Sequence, residues 1–553
     1  MSRPALFAAL LLLVPVGAVA KDGQVADPKF STGRGLYREP VEVVLRTKTD
    51  AATIWYSTNG TPPSPTNGLR YGGPLRVTAT TVLRAAAFKA GLAPSDVETH
   101  TFVFPADVIR QTGAGQPATW GVREGKPVPA DYAMDPRSAA TESERADLEA
   151  ALRALPALSL VLAPEDLFGT ERGIYAHPQE TGEAWERAAS AELILPDGSK
   201  GFQRGCGVRI QGGWNRRPEE SPKHSLRLVF RKKYGAGRLK FPLFGEGTDE
   251  FETLILRGGN NHSWLHWSAA ERRSADYARD PWMRETFAAM GQRSARGRFV
   301  HLYLNGLYWG LYNLAERPDE HFAAARLGGD AKDYDARNAD KVLSGDETAW
   351  KRLFDLANRG LADLANYAAA AELLDVPAFC DYMLLNLYGA NGDWDRSSNW
   401  YAARRHSGQG KYRFFVWDGE RTLEGVDDSR LTDDDDLSPT RLFQKLRENP
   451  AFREEFGRRA ELHLLGKGAL SPEPARERYR ALARLLEPAM LAEAARWGDY
   501  RKEIHPYKEG PFERYTREEH WRPEVNRLLE QYFPQRTASF QRQLQAVELM
   551  PRR

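Results

Sequence analysis

The side chains best suited to chemistry lie in two short runs, Asn391-Gly-Asp-Trp-Asp-Arg-Ser-Ser-Asn-Trp-Tyr401 and Tyr412-Arg-Phe-Phe-Val-Trp-Asp-Gly419. Together they hold Asp393, Asp395, Asn399 and Asp418, and Glu420 follows. Carboxylate and amide oxygens gathered at one point suit Mg²⁺, a hard cation that takes oxygen ligands and shares them with phosphate. The same residues also suit two ordinary turns, because Asp and Asn favour turns and Asp418-Gly419 is a common turn dipeptide.

The elements between the two runs decide which reading holds. Trp400 to Ala403 is strand-like, Arg404 to Lys411 is polar and contains glycine, and Tyr412 to Trp417 is aromatic and apolar. That pattern predicts a β-hairpin whose second strand is the more buried. A hairpin brings its ends together, so Asp393, Asp395 and Asn399 at one end would face Asp418 at the other. In phosphoryl transfer by kinases an Asp positions the hydroxyl, an Asn a few residues on binds metal, and a second Asp holds Mg²⁺ at the phosphates. The order here is the same.

Further candidates precede this stretch. Gln211-Gly-Gly-Trp-Asn-Arg-Arg217 is a basic loop between strand-like runs, able to lay backbone amides over phosphates or to serve as a plain surface loop. Lys223 opens a run in which Leu226, Leu228 and Phe230 alternate with Arg227 and Val229. A lysine there could reach phosphate as a point charge, although most lysines are simply solvated. Phe299 to Leu304 and Tyr308 to Leu314 flank Asn305-Gly306, the strongest short hairpin signal in the chain. The second of these strands ends at Glu316-Arg-Pro-Asp319. Glu316 is placed to pair with Lys223 or to bind metal, and Asp319 to cap a helix over 320–327.

At 553 residues the chain calls for two or more domains. Its 77 basic and 75 acidic residues nearly cancel, which removes any general reason to expect nucleic-acid binding. Cys206 and Cys380 are the only cysteines, which excludes a disulfide framework and favours two buried thiols. Arg3, the apolar run from Ala5 to Val19 and the ending Ala18-Val19-Ala20 have the form of a secretory signal cleaved after residue 20. The run is short for a bilayer span, and no later run is long and apolar enough to make one. The mature protein is therefore expected to be secreted, periplasmic or at the cell surface.

Residues 23–104 hold short strand-like runs separated by Asn59-Gly60, Pro62-Pro63 and similar turn signals, which predicts a small β-sandwich. Residues 105–154 begin as a Pro- and Gly-rich linker or strap, and Thr141-Glu-Ser-Glu144 is a capping box that should start a helix. A module with its own core ahead of such a connector is expected to be removable without unfolding the rest. From Leu155 onward, strand-like runs at 158–162, 191–195, 207–210 and 225–230 predict a mostly antiparallel sheet. Residues 350–374, 377–388, 441–490 and 521–549 read as helices. The acidic run 427–437 reads as a solvated loop.

Two resemblances follow from these residues. Ile54-Trp-Tyr-Ser-Thr-Asn-Gly-Thr-Pro-Pro63 resembles the Ig-like chitobiase/β-hexosaminidase C-terminal domain, with Asn59 where that pattern carries Asp. Such modules are usually accessory, with sugar binding as a minority role. The ordered set Arg209-Ile-Gln-Gly-Gly, Lys223-His-Ser-Leu-Arg, Leu256-Arg-Gly-Gly-Asn-Asn, the Tyr303 to Asp319 segment, Asn391-Gly-Asp-Trp and Val416-Trp-Asp-Gly resembles the CotH family of spore-coat-type secreted kinases, over residues 155–550. That resemblance implies an α+β fold, a two-lobed atypical protein-kinase-like domain behind the small all-β sandwich. It implies transfer of the ATP γ-phosphoryl group, with Mg²⁺ or Mn²⁺, to Ser/Thr of exported proteins. Carried over by position, Lys223 and Arg209 would serve the nucleotide, Glu316 would support Lys223, and Asn399, Asp418 and Glu420 would hold metal. The family spaces its catalytic Asp and Asn about five apart, whereas Asp393 lies six before Asn399 and Asp395 four, so either could be the base. Where members often show Trp-Asp-x-Asp, this chain has Trp417-Asp-Gly-Glu420. The alternatives are a non-catalytic surface protein that binds polysaccharide through the β module, and a hydrolase with paired carboxylates.

Overall fold

The computed structural model describes residues 23–245, 250–395, 399–408 and 410–552. The expected signal, 1–20, lies outside the described residues. The fold is mixed α+β, β-rich in its N-terminal part and helical in its C-terminal part. Among the described residues no helix is long and apolar enough to cross a membrane, and Cys206 and Cys380 are free and buried.

The first module is built on a five-stranded sheet. Its strands are β1 (Gly35–Leu36), β2 (Thr53–Ser57), β3 (Leu69–Arg70), β4 (Thr81–Phe88) and β5 (Glu98–Val103), in the order β1-β5-β4-β2-β3. Val43, Ile54, Val77, Leu83, Ala85 and Phe102 form its core. The module is not self-contained, however. Val103 and Leu36 pack into a second core with Leu148, Leu152, Tyr303 and Tyr308 from the rest of the chain. The connector is equally built in: Trp120 and Tyr132 sit in one cluster with Tyr175, Trp309 and Trp497. The capping box forms as its sequence predicts, with Thr141 Oγ1 accepting from Glu144 N at 3.2 Å and the Glu144 carboxylate accepting from Thr141 N at 2.8 Å. It starts α1 (Glu142–Ala151).

The expected antiparallel sheet closes on itself. Strands β6 (Ala157–Val161), β7 (Arg187–Ile194), β8 (Gln203–Gln211), β9 (Ser225–Val229), β10 (Thr253–Arg257), β11 (Gly297–Leu304) and β12 (Leu307–Glu316) form a barrel in the order β6-β7-β8-β9-β10-β12-β11. Every neighbouring pair is antiparallel except the closing pair, β6 with β11, which is parallel. Period-two alternation sorts the strands: Leu226, Leu228, Leu254, Leu256, Leu302 and Leu314 fill the interior, and the residues between them face outward. Asn305 and Gly306 both have positive φ, 49° and 85°, as a two-residue I′ turn between β11 and β12 requires.

The helical part begins with α2 (Arg279–Ala289), which starts just ahead of Pro281, and α3 (Glu320–Leu327), capped by Asp319 as expected. Four strands, β13 (Tyr334–Asn338), β14 (Lys341–Ser344), β15 (Trp400–Arg405) and β16 (Arg413–Val416), form a sheet in the order β14-β13-β15-β16. The single helix expected over 350–374 is two, α4 (Thr348–Arg359) and α5 (Leu364–Leu373). Gly360 turns the chain at φ +105°, and Asp363 then caps α5 by accepting from Asn366 N. Next come α6 (Val376–Gly389), α7 (Pro439–Leu446), α8 (Pro450–Leu464), α9 (Pro472–Leu486), α10 (Met490–Trp497) and α11 (Phe533–Ala546). Trp282, Leu353, Phe379, Trp400, Phe414 and Phe456 belong to the large core these helices share with the hairpin.

Candidate active site

The β15–β16 hairpin forms in the register its sequence suggests. Trp400 pairs with Val416, so Asn399 lies beside Trp417 and Asp418 comes next. Asn399 Nδ2 donates to the Asp393 carbonyl at 2.5 Å, and Asn391 Oδ1 accepts from Asp393 N at 3.2 Å, so the loop carrying Asp393 is tied to the hairpin mouth. Asp395 turns elsewhere. Its Oδ2 accepts from Thr440 Oγ1 at 3.0 Å, and burial together with the neighbouring Asp435 pushes its carboxyl up to about 6. The acidic run is thus partly folded against the site rather than only solvated. The three residues between Asp395 and Asn399, 396–398, lie outside the described residues.

Asp418 has φ +60°, a left-handed conformation that a non-glycine residue adopts only when its surroundings impose it. Those surroundings centre on Arg257 at the end of β10. Its Nη2 donates to Asp418 Oδ1 at 2.5 Å and to Glu420 Oε1 at 2.7 Å, and its Nε lies 3.2 Å from Asp280 Oδ2. The guanidinium also lies over the Trp417 ring, 4.8 Å from its centre. Glu420 Oε2 accepts from the backbone amides of Asn260 and Asn261 at 3.1 and 3.0 Å. Asp280, in the first turn of α2, accepts from Gly419 N at 3.1 Å and from Arg284 at 3.0 Å. Burial opposes the Asp280 charge, but Arg257 and Arg284 hold its carboxyl below the usual range. Glu420 is pushed up to about 7 by burial and by Asp418 and Asp280, against the pull of Arg257. A small pocket with a cavity volume of about 40 Å³, partly open to solvent, lies beside this cluster, lined by Arg257, Gly259, Asn261, Tyr277, Asp280 and Glu420 among others.

Lys223 sits at the same end of the barrel, but its partner is not Glu316. Lys223 Nζ donates to Glu493 Oε1 of α10 at 2.5 Å, and both side chains are buried. Glu493 Oε2 accepts from Leu311 N at 2.7 Å. Gly258 lies so close beneath Lys223 that a Cβ there would stand 2.5 Å from the Lys223 carbonyl oxygen. The expected pairing of Glu316 with Lys223 is overturned by the barrel register. Glu316 lies opposite Leu254, and Leu254 opposite Leu228, which is roughly 16 Å along the strand from Lys223. Glu316 instead binds Arg296 at 3.0 Å and Arg326 at 2.6 Å.

Arg209 projects from the outer face of β8, directly opposite Arg227 on β9, with Glu186 at 4.0 Å. Arg257, Asp280 and Glu493 were not singled out as site residues from sequence. Arg257 falls within the run Leu256-Arg-Gly-Gly-Asn-Asn261, and nothing local to Asp280 or Glu493 marks them.

Oxygen donors dominate this cleft, as a magnesium-type ion requires. Among the described residues no three His, Cys, Asp or Glu side chains converge as a metal cage. Asp418 and Glu420 both accept from Arg257 Nη2, so an ion drawn to these carboxylates would compete with that guanidinium.

Comparison with known families places these parts. The family model described as CotH kinase protein matches residues 208–539, more than half of the chain, and includes every candidate site residue named above except Glu186. The model described as Chitobiase/beta-hexosaminidase C-terminal domain matches residues 32–99. Barrel strands β6 and β7 lie between the two matches. No curated protein matches the chain.

Proposed function

Because the chain belongs to the CotH kinase protein family, we propose that it is an exported atypical kinase that moves the γ-phosphoryl group of ATP to Ser/Thr hydroxyls of secreted or surface proteins. The observation that carries this reading is the hairpin register seating Asn399 beside Trp417-Asp418, with Asp393 tied to Asn399. In this reading the barrel and the helical part act as two lobes around the cleft. Asp418 and Asn399 would hold Mg²⁺ or Mn²⁺, with Glu420 next to them, and the ion supplies charge neutralisation at the phosphates when bound. Asp393 accepts the hydroxyl proton as the hydroxyl oxygen bonds to phosphorus and the bond to the ADP oxygen breaks. Lys223 held by Glu493 parallels the lysine–carboxylate pair that kinases keep intact. The β module takes the accessory role usual for such modules, with cell-surface polysaccharide as the ligand of the alternative reading.

The test uses protein recovered outside the cytoplasm, whose N-terminus should be Lys21, incubated with γ-labelled ATP and Mg²⁺ or Mn²⁺. Label should enter protein Ser/Thr. Asp418→Ala should lower the rate on the order of a thousandfold with little change in unfolding midpoint. Asp393→Ala should be as severe and Asp395→Ala far milder, since Asp395 is engaged by Thr440. Wild-type labelling by all three variants would remove this stretch from the active site. Oligosaccharide binding without any labelling would favour the non-catalytic alternative.

A further inference from the structure

The loop 212–224 joins β8 to β9, carries Gly212, Gly213 and Trp214, and ends at Lys223-His224. A strap over 505–511, without helix or strand, lies against it. The strap is fastened through its backbone to the segment that follows β10. Arg272 Nη2 donates to the carbonyls of Glu509 and Pro511 at 2.5 and 3.1 Å, and Glu509 N donates to the Trp267 carbonyl at 3.3 Å. The loop it reaches through side chains. Lys508 Nζ donates to Glu220 Oε1 at 2.7 Å, and Tyr507 Oη donates to the same oxygen at 3.2 Å. The Lys508 ammonium stands 5.0 Å from the ring centres of Trp267 and Tyr507 and 5.6 Å from that of Trp214. Three rings and one carboxylate around one nitrogen make a cation cage. Arg217 stacks on Trp214 at 3.5 Å and steadies the outermost wall.

Lys508 fits this cage imperfectly. Its backbone is left-handed, with φ +55°, which a non-glycine residue adopts only under constraint. Glu220 is 1% exposed, yet its Oε2 has no hydrogen-bond partner among the described residues. The cage is also open on one side, since Trp214 is 52% and the Lys508 side chain 37% exposed. A primary ammonium carries three N–H groups, and ring faces offer no lone pairs to receive them. A quaternary ammonium has no N–H to satisfy and feels the same attraction from the rings and from Glu220. We propose that Trp214, Trp267, Tyr507 and Glu220 form a receptor for quaternary ammonium groups, with Lys508 as its built-in occupant, a latch that holds the strap on the loop leading to Lys223. A ligand that takes the cage expels Lys508 and frees the strap from the loop. Tethering gives Lys508 a high effective concentration, so the latch stays shut until such a ligand is abundant. The cage shares no residue with the candidate active site, and it stands whether or not the chain transfers phosphate.

Calorimetric titration of the full mature chain with choline chloride, against matched sodium chloride, tests the receptor. Wild type should bind choline weakly, and Lys508→Ala about tenfold more tightly, because the tethered competitor is gone. Trp267→Leu added to Lys508→Ala should remove that gain. Lys508→Arg keeps a cation on the rings and should stay as closed to choline as wild type. Amide exchange followed by mass spectrometry tests the latch. Lys508→Ala without ligand, and wild type in excess choline, should both exchange about tenfold faster over 505–511 and 212–222, while the barrel strands keep wild-type protection. Sedimentation with phosphatidylcholine vesicles that depends on Trp267 would identify a lipid headgroup as the source of the ligand, and choline binding without sedimentation a free one. Absence of choline binding by Lys508→Ala at tens of millimolar, or binding that survives Trp267→Leu, would overturn the receptor. Unchanged exchange over 212–222, in Lys508→Ala and in choline-treated wild type alike, would overturn the latch.

Discussion

At the scale of single residues, the two aspartates of Asn391-Gly-Asp-Trp-Asp395 are separated by their environments. Asp393 is tied to the hairpin through Asn399, whereas Asp395 faces Thr440 and Asp435. A carboxyl whose folded-state pKa is raised to about 6, from an ordinary value near 4, holds its proton more tightly when folded. Its destabilising effect is absent below the unfolded pKa, grows as pH rises, and is complete above the folded pKa. Asp435→Asn should therefore stabilise the protein at pH 8 and change little at pH 4. After discounting for solvent screening, the gain at pH 8 should be about 1 kcal/mol. Urea midpoints at the two pH values check this; an equal gain at both would show that repulsion between Asp395 and Asp435 is not the cause. Sequence spacing left Asp393 and Asp395 equally eligible. What separates them is a contact with Thr440, 45 residues away, and no local pattern reports such a contact.

At the scale of elements, the short-range devices were legible and the long-range ones were not. The Asn305-Gly306 turn, the Thr141 capping box, the Asp319 cap and the β15–β16 hairpin all follow from local chemistry that a few residues specify. Barrel closure and the partner of Lys223 do not. Glu493 lies 270 residues from Lys223, and its helix α10 differs in no local respect from its neighbours. That element makes a distinct prediction. Glu493→Leu strands a buried ammonium group and should cost roughly 3–5 kcal/mol. Lys223→Met combined with Glu493→Leu should recover most of that loss, because it replaces the pair with apolar groups. A double-mutant cycle in denaturant measures the coupling. Additive losses would mean that the two side chains do not rely on each other.

At the scale of the whole molecule, the β module is joined to the barrel by a buried charge. Glu192 on β7 is 0% exposed. Its carboxylate accepts from Arg34 at 2.7 Å and from Thr101 Oγ1 at 2.5 Å, both in the module. The sequence boundary near residue 104 is therefore crossed by packed and hydrogen-bonded contacts. Deleting 23–104 should expose the Val103 side of the second core and leave Glu192 without its partners. The truncated chain should unfold several degrees earlier than the full one, and Glu192→Gln should restore part of the loss. Unfolding of the truncated chain at the full-length temperature would show that the contact is incidental.

The parallel pairing of β6 with β11 also fixes an order in time. Residues 157–161 find no closing partner until residue 304 has been made, and Lys223 meets Glu493 only when the chain is nearly complete. Contacts of such sequence separation form late, because the intervening chain must first lose its freedom. A ribosome-bound chain, or one ending before α10, would carry Asp393, Asn399 and Asp418, yet lack the helix that neutralises Lys223. Completion of the C-terminal helices thus separates a chain that merely contains the site from one that has assembled it.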